Sequence, residues 1–361
     1  MTGRHDGNRL TRTRATNSKR KENACQQTTV LGPDNSSNRR QFLKALGGAA
    51  AAVGVAGCAG TGGGSDSALS FGGDETVNFG ISPSVPQEDL EVQYSPLLDH
   101  VEEGIAANYD APDGLTVRGS TGSNYSAVIQ SLGEQTTDVA ETGPFAAALG
   151  VNTGNAEIVL QRYGYGSWTY KSVIATPADS DVTSLSDLSG KTIAFSDKLS
   201  TSGALYPLYM LKTEGGLDVG NLPEGNGSQA EFDARFAGGH VSSYTLLEQG
   251  KVDAAGIGGF VRDTSTGPSP EKFQEVATTL TEADGLPRAP IVVSADLNDE
   301  TKNAIQQTLL NAPDTVYYGA DGEADTDDDL WFDDVREAGE AEYEPVTSVA
   351  DELDVGTEIF E

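Results

Sequence analysis

Ile193-Ala194-Phe195-Ser196-Asp197-Lys198-Leu199-Ser200-Thr201-Ser202-Gly203 runs from an apolar, strand-like segment into three consecutive hydroxyl residues. A helix is predicted next, from Ser202 to Lys212, with Gly215-Gly216 as its stop. The first N–H groups of a helix have no partner inside it and point outward with the positive end of its dipole. Hydroxyls placed there add donors without adding a counter-charge, so the stretch outlines an anion site at a strand-to-helix junction. A plain N-cap at Ser200 or Ser202 is the competing reading, and it explains one hydroxyl of the three. On the residues alone the two readings stand level. Pro207, inside the predicted helix, removes one backbone bond and predicts a kink.

Outward from this stretch the chain alternates strand and helix signals. Val77 to Ile81 has strand alternation, Ser82 to Gln87 reads as a turn, and Tyr94 to Ala107 has helical spacing. After Thr116-Val117-Arg118, Ser123 or Asn124 caps a predicted helix through Leu132, Gly133 stops it, and Asp138-Val139-Ala140 starts a strand. The order recurs later, where Tyr244 to Gly250 leads into Val252-Asp253-Ala254-Ala255. Setting Asp138 against Asp253 also pairs Leu132 with Leu247 and Gly143 with Gly258, which predicts two similar α/β lobes. Between them, Tyr170 to Ala175 and Lys191 to Phe195 are predicted strands around the turn-rich Thr176 to Gly190.

The N-terminal residues follow other rules. They are polar and basic up to Arg39-Arg40-Gln41-Phe42-Leu43-Lys44, which opens an Ala/Gly-rich apolar run ending at Val55-Ala56-Gly57-Cys58. That order combines a twin-arginine export signal with a lipobox, and Cys58 is the expected lipid-bearing first residue. The run from Ala45 to Ala56 is short of the roughly 20 apolar residues that a spanning helix needs. The expected divisions are a signal and leader at 1–57, a Gly/Ser/Asp-rich tether at 58–74, a first lobe at 75–166, a second at 167–257, and a return to the first lobe with C-terminal helices at 258–361. The second cysteine, Cys25, falls in the leader, so no disulfide framework is expected after Cys58.

The chain has 23 Lys and Arg against 55 Asp and Glu; after residue 57 the count is 13 against 52, a net charge of −39. General electrostatic binding of nucleic acid is excluded on such a surface. So acidic a coat with so few lysines is expected of an extreme halophile, since molar salt shortens the screening length to about 3 Å. The tract Asp321 to Asp329 is reminiscent of a calcium loop but lacks the closing Glu, and it reads foremost as a solvated acidic loop.

Ser200-Thr201-Ser202-Gly203 with Pro207 and Leu211, preceded by Ile193-Ala194-Phe195 and Asp197, resembles the signature of phosphate, phosphite and phosphonate ABC-transporter substrate-binding proteins. The similarity continues through Asn78 to Ile81, Tyr125 with Ile129-Gln130, Asp138 to Ala140, Tyr170 to Val173, Gly239-His240, Val252 to Ala255, Pro290 to Val292 and Tyr343 to Val346. The resemblance implies a type II periplasmic-binding-protein fold: two α/β lobes, a two-strand hinge and an interlobe ligand cleft. Together with the signals at Arg39-Arg40 and Cys58, it implies an exported protein, lipid-anchored on the outer face of the cytoplasmic membrane, that passes a small phosphorus oxyanion to an ABC permease and ATPase complex. No cofactor, metal or nucleic acid is implied. The ligand contacts implied are Ser200, Thr201, Ser202, Tyr125 and His240, with Tyr170 near the hinge and Thr142 as further candidates.

Departures from the family pattern narrow the ligand. Where aminophosphonate carriers place acids for the ligand's ammonium, this sequence has Phe260 and Ala289, with Arg288 beside the latter; Glu141 is a candidate substitute acid. Phosphate, phosphite or a short neutral-tailed phosphonate is therefore expected ahead of 2-aminoethylphosphonate. Two rival classes are an exported phosphoester hydrolase and a binding ectodomain for another oxyanion or a metal ion. Only His100 and His240 follow the leader, which excludes His-rich metal hydrolases, and no nucleophile elbow is present. A metal carrier could use Tyr125, Tyr170 and His240, but the Ser-Thr-Ser run favours an oxyanion.

Overall fold

In the computed structural model the described residues are 68–73, 75–83 and 90–360. Arg39, Arg40 and Cys58, with part of the turn expected at Ser82 to Gln87, lie outside them. The first lobe begins with β1 (Thr76–Ile81), α1 (Leu90–Asn108), β2 (Thr116–Thr121), α2 (Tyr125–Gly133), β3 (Val139–Glu141), α3 (Pro144–Thr153) and β4 (Ala156–Gly164). Leu90, Tyr94, Leu97, Val101 and Ile105 recur every three or four residues and are all buried, so one face of α1 covers the sheet. Every residue of β3 is buried, as expected of a strand with both faces covered.

The chain then crosses into a second sheet. It is built from β5 (Thr169–Pro177), β6 (Thr192–Phe195), a π turn at Thr201–Leu205 that runs into α4 (Tyr206–Thr213), β7 (Asp233–Phe236), α5 (His240–Glu248), β8 (Ala254–Gly258), α6 (Gly259–Asp263), α7 (Pro270–Val276) and β9 (Ala277–Pro287). β10 (Pro290–Ser294), α8 (Asp299–Leu310), β11 (Phe332–Glu337) and α9 (Glu344–Glu352) follow. The sheet orders are β11-β4-β10-β3-β1-β2 and β7-β6-β8-β5-β9.

The two lobes repeat one device. Asp138 accepts the N–H of Asn78 at 2.8 Å, and Asp253 accepts that of Thr192 at 2.8 Å. Each aspartate ties down the residue before a parallel pairing, Phe79 with Val139 in one lobe and Ile193 with Ala254 in the other. The equivalence expected from the sequence is thus one of position and of hydrogen bonding.

Three expectations are corrected. Residues 259–287 stay with the second lobe, because β9 pairs along the length of β5, and the return to the first sheet comes at Pro290 instead of 258. The end of the expected tether is docked: Leu69 and Phe71 are buried in the first lobe's core, and Gly72 N donates to Asp138 Oδ1 at 2.7 Å. Pro207 does not kink a long helix; it sits in the first turn of α4, where its missing N–H costs least, and the wider turn before it is the π segment.

Two strands cross between the lobes, the links being residues 165–168 after β4 and Arg288-Ala289 after β9. They are tied together by Arg288 N donating to Trp168 O at 3.0 Å and Arg162 N to Ala289 O at 3.2 Å. This is the two-strand hinge of a type II binding protein.

Candidate ligand-binding site

The lobes meet over a cleft of about 470 Å³ including its open mouth. One wall is the strand-to-helix junction with Ser200, Thr201 and Ser202, faced by Tyr125 and Gly143-Pro144 of the first lobe. His240 and Phe260 come from the starts of α5 and α6, and Tyr165, Tyr170, Arg288 and Ala289 come from the hinge region; Trp331 closes the lining. No carboxylate is among these lining residues.

The hydroxyl run is held in a defined donor state. Gly258 N donates to His240 Nδ1 at 2.9 Å, so the imidazole proton is on Nε2, which faces Ser200 Oγ at 3.2 Å. Ser200 Oγ also accepts the N–H of Gly203 at 3.1 Å. With both its accepting positions used, the Ser200 hydroxyl has its own hydrogen left to give to an anion. Burial holds the imidazole neutral, its pKa pushed down to about 4. His240 lines the cleft, but both its ring nitrogens are engaged within the protein, so the geometry has it position Ser200 where the resemblance implies a direct ligand contact.

Thr201 Oγ1 accepts the N–H of Phe145, in the first turn of α3, at 2.9 Å, a bond between the lobes. Ser202 Oγ is buried and makes no hydrogen bond of good geometry, although the Tyr170 phenol lies near it and near Thr201, while its carbonyl accepts the hydroxyl of Ser172 at 2.8 Å. A buried polar atom without a partner is costly, and a ligand oxygen at this hydroxyl would remove the cost. Gly203 is required by close approach: a Cβ there would stand 1.8 Å from Ser196 Oγ and 2.9 Å from His240 Cε1. Tyr125 and Tyr170 both reach the cleft, and burial raises both phenols, so they are donors and not phenolates.

Thr142 is fully buried but is not on the cleft wall. Glu141 does not serve the cleft either. It is buried against Arg162 as an ion pair and accepts Ser82 N at 2.8 Å and Ser82 Oγ at 3.1 Å. Its charge is spent in the hinge, which leaves an ammonium-tailed ligand without the substitute acid the sequence offered.

Arg288, Tyr165, Trp331 and Gly143-Pro144 were not among the expected contacts. In the sequence Arg288 stands out only as the neighbour of Ala289, immediately before the Pro290-Ile291-Val292 strand that returns across the hinge. Tyr165 and Trp331 lie in stretches without periodicity, and nothing local marks them.

Residues 79–343 match the family described as the periplasmic substrate-binding protein of a phosphonate ABC transporter. The chain belongs to this phosphonate-binding family. Among curated relatives, the phosphonates-binding periplasmic protein of Escherichia coli is 27% identical over 246 residues, 66% of each chain. The phosphate-import protein PhnD of Mycolicibacterium smegmatis is 33% identical over 199 residues, 53% of this chain and 56% of that one. The matches thus span less than two thirds of either relative's length. Among solved structures, PhnD1 of Prochlorococcus marinus, in complex with methylphosphonate, shares the fold with a TM-score of 0.60 at 16% identity, covering 78% of this chain and 98% of that one.

Proposed function

We propose that this phosphonate-binding family member captures a small phosphorus oxyanion, namely phosphate, phosphite or a short phosphonate, and delivers it to an ABC permease and ATPase complex. The observation that carries this reading is the run Ser200-Thr201-Ser202 at a helix start, with the Ser202 hydroxyl buried and unpartnered in a cleft lined by no carboxylate. Such a site offers neutral donors and helix ends to an anion and little to a cation. The ligands printed in the relatives' names, phosphonates, phosphate and methylphosphonate, support the same class. Calorimetry in molar salt with phosphate, phosphite, methylphosphonate and 2-aminoethylphosphonate tests it. The first three are expected to bind ahead of the last; tightest binding of the aminophosphonate overturns the specificity, and binding of none by folded protein overturns the class.

On the sequence of Arg39-Arg40 followed by Cys58, the protein is exported by the twin-arginine route and anchored through a lipid on the outer face of the cytoplasmic membrane. Cys58→Ser is expected to be released to the medium; retention on membranes through high-salt washing overturns the anchor.

A further inference from the structure

The hinge brings into the cleft a charge that the hydroxyl wall does not answer. Arg288 is 7% exposed and lines the cleft, and its Nε has no hydrogen-bond partner. Its guanidinium lies 5.3 Å from the centre of the Tyr165 ring and 5.2 Å from that of Tyr170. These are π faces, not carboxylates. Glu141, the buried acid that the sequence offered to the cleft, is taken by Arg162, and among the described residues Arg288 forms no ion pair within 4 Å. A buried guanidinium with ring faces alone is left short of partners, whereas one that meets an anion makes a strong and directional contact.

The two kinds of donor in this cleft select differently. Hydroxyls and helix starts hold the oxygens of a tetrahedral anion but discriminate weakly between a monoanion and a dianion of the same shape. A fixed positive charge in a site of low dielectric discriminates strongly. We propose that Arg288 sets the charge of the ligand: the bound species carries a second negative charge facing this guanidinium, supplied by the second ionisation of the phosphoryl group or by a carboxylate on a short tail. The inference rests on the phosphorus-oxyanion reading above and sharpens it. It also gives the exclusion of ammonium tails an active cause, since like charges placed together in an interface are strongly repelled.

The test is calorimetry at about pH 8.5, chosen because the second ionisation of an alkylphosphonate lies above the value of about 6 for a phosphate ester. Methylphosphonate is compared with methanesulfonate, its monoanionic isostere, and phosphonoacetate with ethylphosphonate, which differ in the charge of the tail. The wild type is expected to prefer methylphosphonate to methanesulfonate by about a hundredfold. Arg288→Gln is expected to cut that ratio by about tenfold, the share of one charge-assisted bond, and Arg288→Lys to keep most of it. If the second charge is the tail carboxylate, phosphonoacetate gains over ethylphosphonate in the wild type and loses the gain in Arg288→Gln. If it is the phosphoryl ionisation, only the first ratio moves. Either result supports the proposal. A wild-type methylphosphonate to methanesulfonate ratio near one, with no gain for phosphonoacetate, overturns it without recourse to any variant. Equal weakening of all four ligands by Arg288→Gln overturns it too. Tight methylphosphonate binding with either of these results leaves the phosphorus-oxyanion reading standing, whereas failure of folded wild type to bind any phosphorus oxyanion removes both.

Discussion

Tyr125 and His240 hold equivalent places in the two lobes: each is the first residue of the helix that leads to the strand-tying aspartate, α2 before Asp138 and α5 before Asp253, and both side chains reach one cleft. Their surroundings are equivalent as well. The Tyr125 ring packs on Gly143, where a Cβ would stand 3.0 Å from Cε1, and His240 Nδ1 takes the N–H of Gly258, the counterpart of Gly143. A repeated lobe thus presents two different groups to the cleft, a phenol from one side and, through the imidazole, an oriented serine from the other. Tyr125→Phe keeps the ring and removes the phenol, and it is expected to weaken phosphate binding by about tenfold in calorimetry, the share of one hydrogen bond to a charged group. Unchanged affinity would remove Tyr125 from the contacts.

The neutral state of His240 makes stability depend on pH in a stated direction. Its folded pKa is pushed down to about 4 from 6.5 by burial, so above pH 6.5 both folded and unfolded imidazoles are neutral and the folded state bears no penalty. As pH falls from 6.5 to about 4 the unfolded chain takes up the proton first, and about 3 kcal/mol is lost. Urea unfolding in molar salt at pH 7.5 and 4.5 is expected to show the wild type losing about that much more than His240→Gln. Parallel losses in the two proteins would mean that the imidazole is not held neutral.

Ser200 and Ser202 are neighbours with different expected phenotypes. Ser202→Ala removes a hydroxyl that has no partner in the protein, so melting is expected to stay within a degree or so while phosphate affinity falls by about one to two orders of magnitude. Ser200→Ala also strands the N–H groups of His240 and Gly203, and about 1–3 kcal/mol of stability should go with the affinity. Equal melting temperatures for the two variants would contradict the hydrogen-bond relay.

The parts of this site that were legible in the sequence are those whose chemistry is local. Ser200 to Ser202 follow a strand and open a helical turn, and Asn124 is the N-cap that accepts Ala127 N at 2.8 Å; both are properties of a few adjacent residues. The lobe equivalence was legible because Asp138 and Asp253 do the same work at the same step of the same unit. The second lobe's boundary was not, because β9 is polar and alternates irregularly in burial as an edge strand, and its place is decided by distant pairing with β5. Arg288 and Glu141 show the same limit from the side of charge. Whether Glu141 is free to meet a ligand depends on Arg162, which neutralises it, and a pair made between two strands of the first sheet leaves no mark in local sequence.

That pair gives a further prediction. Arg162 is fully buried, contacts Glu141, and donates from Nε to Ala289 O at 3.2 Å, so it links the hinge strand to the charge behind the cleft. Burial lowers its pKa to about 10, which still leaves it charged at neutral pH. Arg162→Met strands a buried carboxylate and is expected to cost about 3–5 kcal/mol in chemical unfolding, while Glu141→Leu with Arg162→Met regains a large part of that loss. A double variant as unstable as the single one would show that the arginine matters for its backbone contact more than for its charge.

The last prediction concerns the surface: after residue 57 the chain has 52 carboxylates against 13 cations, and few of either are buried as Asp138, Glu141, Arg162 and Arg288 are. Pairs such as Lys302 with Glu157 at 2.7 Å and Lys272 with Glu248 at 2.8 Å are too few to offset that excess, and exposed pairs contribute little individually. Self-repulsion therefore acts on the folded state whenever screening is weak. Lowering salt from about 1 M to 0.01 M lengthens the screening distance from about 3 Å to about 30 Å, beyond the spacing of neighbouring carboxylates. The melting temperature is expected to fall steadily over that range, and equally in sodium and tetramethylammonium chloride if screening and not a specific cation is responsible. The same field acts on the ligand. A phosphorus dianion approaching a net charge of −39 is repelled in dilute salt, so its association rate should rise with ionic strength, while its dissociation, governed by Ser200 to Ser202 and the helix ends, changes little. Stopped-flow binding of phosphate across that salt series separates the two rates; an association rate that falls as salt is added would mean that the cleft's local positive field, not the acidic coat, governs approach.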